Sequence, residues 1–227
     1  MTVAPRPLST EARGRLRELW VRLENDALIA ERAADALPVR LLTALEKKAE
    51  VGRVRTLAHV LRAMPIRPLY SDGRSLCFRY LKPMSTVPAA AGAPGGVADD
   101  QPCIVIWAVL LNAAGRPRMS REPFGACFTR HALGRLLDRS GMRADPVAAM
   151  ITAHDELARL GAEQGAATFG QADFLVPAAG GCFSAAPRMV GARKSPLAVC
   201  RTWVDVDMVH PDQAARLAAW RRADRAA

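Results

Sequence analysis

The sequence predicts an α+β protein, with N-terminal helices plus a mostly antiparallel sheet packed against helices. Three observations lead there. The first 66 residues carry apolar side chains at helical spacing. Short β-branched and aromatic runs follow, and helical and strand-like segments never alternate regularly as a parallel βαβ sheet requires. The expected organisation is a helical region at 1–66 and an α+β domain at 67–227, with a flexible insertion at 82–102.

Ser9 and Thr10 are cap-type residues ahead of Glu11, and Leu16, Leu19, Trp20, Leu23, Ala27 and Ala30 then recur on one face. Residues 10–36 therefore read as one long amphipathic helix. Pro38 opens a second helix to about residue 50, and Gly52 separates it from a third at 53–63, which Pro65 stops. This pair resembles a helix-turn-helix in outline, but the stretch from Ala49 to Gly52 is one residue short, and an ordinary helical hairpin fits better.

From 74 to 81, Leu76, Phe78 and Tyr80 alternate with Ser75, Cys77 and Arg79, as in a strand with one buried face. Residues 82–102 are rich in Pro, Ala, Gly and Ser and show no periodic face. Their glycines at 92, 95 and 96 lack the strand and the Gly-Lys-Ser/Thr ending of a phosphate loop. A continuous apolar run at 103–111 reads as a central strand, 112–118 as its turn, and 126–128 as a short strand leading into a helix at 130–140. Asp145-Pro146 caps and opens a further helix to about 160. Strands follow at 173–176, 182–185 and 197–204, the first two joined as a hairpin through residues 178–181. Pro211 opens a terminal amphipathic helix.

The 227 residues carry 32 basic and 22 acidic side chains, a formal net charge of +10, and half the chain is hydrophobic, which excludes an acidic disordered solubiliser. Of the basic side chains 28 are Arg and only four are Lys, and Arg is the better phosphate ligand because its planar fork bonds two oxygens at once. The charge concentrates at Arg116, Arg118, Arg121, Arg130, Arg135, Arg139 and Arg143, opposed in that stretch only by Glu122 and Asp138. A polyanion would be met there.

Cys77, Cys103, Cys127, Cys182 and Cys200 are odd in number, widely spaced and never in a C-x-x-C pair. They read as reduced core residues, not as a disulfide framework or zinc knuckle. The longest apolar run, Ile104 to Leu111, is far short of the roughly 20 residues of a membrane helix. With no signal-type apolar core near Met1, the chain reads as cytoplasmic, with no membrane partner, no metal and no cofactor.

The segment from Thr129 to Arg139 is the most informative in the chain. With Thr129 as N-cap, one helix places His131, Arg135 and Arg139 along a single face, with Leu133, Leu136 and Leu137 opposite, ready to dock on the sheet. At the second helical position the positive end of the helix dipole disfavours an imidazolium and keeps His131 neutral near physiological pH. A neutral base beside permanent cations suits metal-independent cleavage of RNA, in which a base takes the 2′-hydroxyl proton and cations stabilise the phosphorane.

Thr129, His131, Ala132, Arg135 and Arg139, followed by a second helix and by strands ending in Val199-Cys-Arg-Thr-Trp-Val204, resemble small bacterial toxin-like domains. Those domains open with [ST]-x-H-A-x-x-R and are grouped with the barnase, EndoU and RelE-like ribonuclease fold. The resemblance spans about residues 124–207. It implies a helix packed on a four-stranded antiparallel sheet, His131 as general base or acid, Arg135 and Arg139 as phosphate ligands, and Thr202 as a substrate contact. This sequence departs from the pattern in the 17-residue helix between the His helix and the strands, in the long N-terminal half, and in Gly134.

The expected function is therefore a metal-independent endoribonuclease or RNA-binding toxin-like protein, with Arg116, Arg118, Arg121, Arg130, Arg143 and Arg201 contacting RNA in preference to DNA, and a cognate antitoxin or other protein as partner. The alternative is a non-enzymatic nucleic-acid-binding or assembly protein working through the helical N-terminal region. Plainer readings stand beside the site: His131 as a polar residue near a cap, Arg135 and Arg139 as a solvated face, and Thr202 as a β-former with Arg201 the better ligand. His154, Asp155 and Glu156 spread around their helix and read as solvated, His59 and His210 as packing or capping residues, and a Cys127–His131 pair lacks an orienting third group.

Overall fold

A computed structural model describes residues 7–35, 67–71, 75–90, 101–112, 118–164, 174–178, 180–191 and 195–209. Its elements are α1 (Thr10–Asp35), β1 (Arg67–Ser71), β2 (Ser75–Met84), β3 (Cys103–Asn112), β4 (Arg118–Thr129), α2 (Arg130–Arg139), α3 (Pro146–Gln164), β5 (Phe174–Ala178), β6 (Gly181–Val190), β7 (Ser195–Asp205) and a 3-10 turn, Val206–Met208. The class is α+β. The helices expected at 38–50, 53–63 and after Pro211, with His59 and His210, lie outside the described residues.

Two compact units divide the chain. One contains Met1–Glu18, Ser85–Cys103 and Gly125–Ala227, the other Leu19–Met84 and Ile104–Phe124. The boundary expected at 66/67 falls inside the second unit.

In the second unit the strand order is β1-β2-β3-β4, with β1 antiparallel to β2 and a register shift between Pro68 and Tyr70. Strand β1 was not anticipated, because its five residues include Arg67 and Pro68 and show no alternation. Strand β2 buries Cys77, Arg79, Tyr80 and Leu81, so both its faces are covered and the expected single buried face is corrected. In β3, Ile104, Val105, Ile106 and Ala108 are fully buried, which explains an apolar run without alternation. Leu19, Leu23, Ala27 and Ala30 form the buried stripe of this part of α1. Glu31 accepts from Tyr80 Oη at 3.1 Å and pairs with Lys82 Nζ at 2.5 Å, while the ammonium lies 5.2 Å from the Trp107 ring centre.

In the first unit the order is β4-β7-β6-β5. Strands β5, β6 and β7 are antiparallel neighbours, but β4 runs parallel to β7, with Gly125 opposite Leu197 and Phe128 opposite Cys200. Helices α2 and α3 connect β4 to β5, and this long connection is what permits the parallel pair. The hairpin expected between β5 and β6 is present, closing on the Ala178–Gly181 pair. A Cβ at Gly181 would lie 2.3 Å from Trp203 Cζ2 and 2.5 Å from the Val204 carbonyl oxygen, so the bare glycine lets the indole cross the strand. Phe128 and Phe183 meet edge to face at 5.1 Å between centroids.

The insertion at 82–102 is shorter than expected. Lys82 to Met84 belong to β2, Val87 is fully buried, Ala90 bridges Val190, and the Pro88 carbonyl accepts from Arg188 at 3.1 Å. Backbone pairing and one buried valine hold residues 85–90 despite their linker-like composition.

Candidate functional site

Helix α2 begins where the sequence places it, on Thr129. The Thr129 side chain accepts from the Ala132 backbone N–H at 3.2 Å and its hydroxyl donates to the Arg201 carbonyl at 3.2 Å. One hydroxyl therefore caps the helix and ties it to β7. Arg130 N–H donates to the Pro102 carbonyl at 2.8 Å, so the first turn is anchored on two sides.

The tie falls on an irregularity in β7. Ser184 pairs with Thr202 and the next residue, Ala185, pairs with Cys200, so Arg201 is the extra residue of a β-bulge. Its side chain is exposed, as is that of Arg130, while His131 is half-buried and Thr202 partly exposed. Thr129 thus brings Arg130, His131, Arg201 and Thr202 to one end of α2.

His131 has its pKa pushed below the usual imidazole value, first by burial and then by the Arg135 and Arg139 guanidiniums. The direction is the one expected from the unpaired N–H groups and dipole at a helix start, but the causes are burial and these two guanidiniums. A neutral, half-exposed imidazole is equipped to accept a proton.

The two following cations are not an open stripe, and that expectation is corrected. Arg135 is only 9% exposed, and Arg139 Nη1 donates to the Trp203 carbonyl at 2.5 Å. Leu133, Leu136 and Leu137 are buried as expected, but Ala132 and Gly134 are buried too, and a Cβ at Gly134 would sit 2.3 Å from Leu8 Cδ1. Packing around nearly the whole circumference of α2, not a two-faced arrangement, draws both arginines inward.

Arg143 is exposed beyond the C-terminal end of α2, so the structure does not bring it to the His131 end. Arg15 Nη1 donates to the neighbouring Met142 carbonyl. Arg116 and the side chains of Arg118 and Arg121 lie outside the described residues.

Two features were missed or misread in the sequence. His154 is 1% exposed, not solvated, and lies on the buried side of α3 with Met150, Ala153 and Leu157. Its Nε2 would be 2.9 Å from a Cβ at Gly125, a β4 residue with φ of +72°, and its Nδ1 is 3.7 Å from Asp155. Three consecutive polar residues hid a single inward position whose apolar neighbours at helical spacing were the available signal.

The second feature is a group of thiols. Cys103, Cys127 and Cys200 are fully buried, and Cys127 is pushed well above the usual thiol range by a hydrogen bond with Cys103 and by burial. A Cys127 thiol of this kind is no nucleophile for His131. Among the described residues no group of three His, Cys, Asp or Glu side chains is placed to hold a metal, and no helix is long and apolar enough to cross a membrane.

Comparison of the chain with protein-family models, with curated proteins and with solved structures finds no match.

Proposed function

We propose that the N-terminal end of α2, with the β7 bulge, binds the phosphodiester backbone of RNA and cleaves it without metal, His131 acting as general base. The observation that supports this reading is a partly exposed imidazole of lowered pKa in the first turn of α2, a turn whose cap, Thr129, is tied to the Arg201 backbone, with the Arg130 and Arg201 side chains exposed. Arg130 and Arg201 pair with the non-bridging phosphate oxygens. Arg135 and Arg139 act behind them, disfavouring the imidazolium and holding the end of β7.

In the reaction an imidazole nitrogen of His131 takes the 2′-hydroxyl proton and the freed oxygen attacks phosphorus in line. The bond to the 5′ oxygen breaks, that oxygen takes a proton from water, and a 2′,3′-cyclic phosphate and a 5′-hydroxyl remain. Thr202 contributes a hydroxyl at the edge of the site. The grouping resembles the toxin-like domains of the barnase, EndoU and RelE-like fold in its residues, and a protein antitoxin is the matching partner.

The test is incubation of the purified chain with total RNA in excess EDTA, beside His131→Ala, with analysis of fragment ends. Cleavage by the wild type alone, leaving cyclic phosphates, is the expected result. RNA binding without cleavage by either protein would instead assign the same surface to a binding protein, a reading favoured by the inward commitment of Arg135 and Arg139. Equal cleavage by both would remove His131 from the chemistry.

A further inference from the structure

Among the described residues five large apolar side chains are exposed, and three of them, Val21 (54%), Leu28 (45%) and Ile29 (52%), lie on α1. At roughly 100° per residue, Glu18, Val21, Arg22, Asn25, Leu28, Ile29 and Arg32 all fall within about 60° of one direction. All seven are exposed. The opposite side of the helix carries Leu16, Leu19, Leu23, Ala27 and Ala30, all buried. Helix α1 therefore carries apolar side chains on two sides, and among the described residues only one of these sides is covered.

We propose that this outer face pairs with the same face of a second copy of the chain, the two helices antiparallel and related by a two-fold axis near Asn25. The occupant follows from self-complementarity. Reversing the helix about a point next to Asn25 sets Val21 of one copy beside Leu28 of the other, and Glu18 beside Arg32. Both contacts occur twice. Ile29 then lies under the aliphatic stem of Arg22 from the second copy, whose guanidinium reaches water at the rim. The two Asn25 amides meet on the axis, where a polar pair fixes register. A parallel pair would set Glu18 against Glu18 and Arg32 against Arg32, so charge selects the antiparallel arrangement.

The experiment is sedimentation equilibrium of the full-length chain over a wide concentration range, with three variants at exposed positions that leave the buried stripe untouched. Wild type is expected to dimerise, and Leu28→Glu to raise the dissociation constant about tenfold or more. Glu18→Arg is expected to weaken the dimer, and Glu18→Arg combined with Arg32→Glu to restore it. A face that is merely hydrophobic would not show that rescue. Asn25→Cys is expected to form an intermolecular disulfide on oxidation. Wild type that stays monomeric at every concentration overturns the proposal and leaves the face to another segment or a different protein. A dimer indifferent to Leu28→Glu, or a charge swap without rescue, overturns it equally.

Discussion

The Thr129 hydroxyl donates to the carbonyl of Arg201, 72 residues away, while the same oxygen caps helix α2. A cap residue readable from local sequence is thereby also the joint that fixes the β7 bulge, with its exposed arginine, to the start of α2.

Replacing that hydroxyl separates the two roles. Thr129→Ala removes the cap and leaves the buried Ala132 N–H without its partner, and is expected to destabilise the chain by about 1–2 kcal/mol. Thr129→Ser keeps both hydrogen bonds and is expected to retain most of the stability and all of the RNA interaction. Urea unfolding of the two variants measures the difference.

The position of His131 on the pH scale is set by its surroundings and responds to them in a defined direction. Burial and two cations lower its pKa, so Arg135→Met or Arg139→Gln is expected to raise it, since each removes a charge that opposes the imidazolium. Because the folded pKa lies below the unfolded one, His131 contributes stability that is complete above about pH 6.5 and is lost as pH falls through the folded pKa. NMR titration of the imidazole Cε1–H in wild type and variants measures the shift. An unchanged or lower value in both would contradict the electrostatic account.

Cations that touch phosphate reveal themselves in salt. Arg130→Gln and Arg201→Gln are each expected to weaken RNA binding and to reduce the slope of log K against log salt by about 0.7, the value for one phosphate contact on a single strand. Arg143→Gln, at the far end of α2, is expected to change the slope less. Fluorescence anisotropy with a labelled oligoribonucleotide over a salt series distinguishes them.

Gly181 of β6 lies against the Trp203 indole and the Val204 carbonyl of β7. An added methyl would meet the indole at 2.3 Å and the Val204 carbonyl at 2.5 Å, so Gly181→Ala must displace backbone as well as a ring. A loss of about 1–3 kcal/mol is expected. Thermal unfolding followed by tryptophan fluorescence would show a lower midpoint, and an unchanged midpoint would mean that the strand end yields freely.

Ser9 and Asp138 form the corresponding joint at the start of α1. Ser9 Oγ accepts from Ala12 N–H at 3.1 Å and donates to Asp138 at 2.5 Å, and Ser9 N–H also points at the carboxylate. Ser9→Ala removes the cap and the hydroxyl half of the tie, leaving the backbone N–H on the carboxylate, while Asp138→Asn leaves the cap. The first is expected to cost about 1 kcal/mol more than the second in urea unfolding.

Much of the fold was legible where a signal is local. Ser9, Thr129 and Asp145 announce helix starts, and all three cap: Asp145 Oδ1 accepts from Val147 N–H at 2.9 Å. Runs such as Ile104 to Ile106 mark strands through β-branching. Strand β1 was not legible because Arg67 and Pro68 leave it without alternation, and the hold on residues 85–90 was not because partners a hundred residues away supply it. His154 and Arg135 were misjudged for the same reason. Polarity is a property of the residue, but burial is a property of what packs against it.

The sequence by itself determined the α+β class, the caps and the helix that carries His131, since these depend on spacing and side-chain chemistry within a few residues. Only the tertiary structure decided that β4 runs parallel to β7, that Arg135 and Arg139 turn inward, and that Arg201 stands on a bulge tied to the cap of α2. The physical reason is register. Which residue of β7 meets the cap of α2 is set by the summed pairing of β4, β6 and β7, and no window of neighbouring residues contains that information.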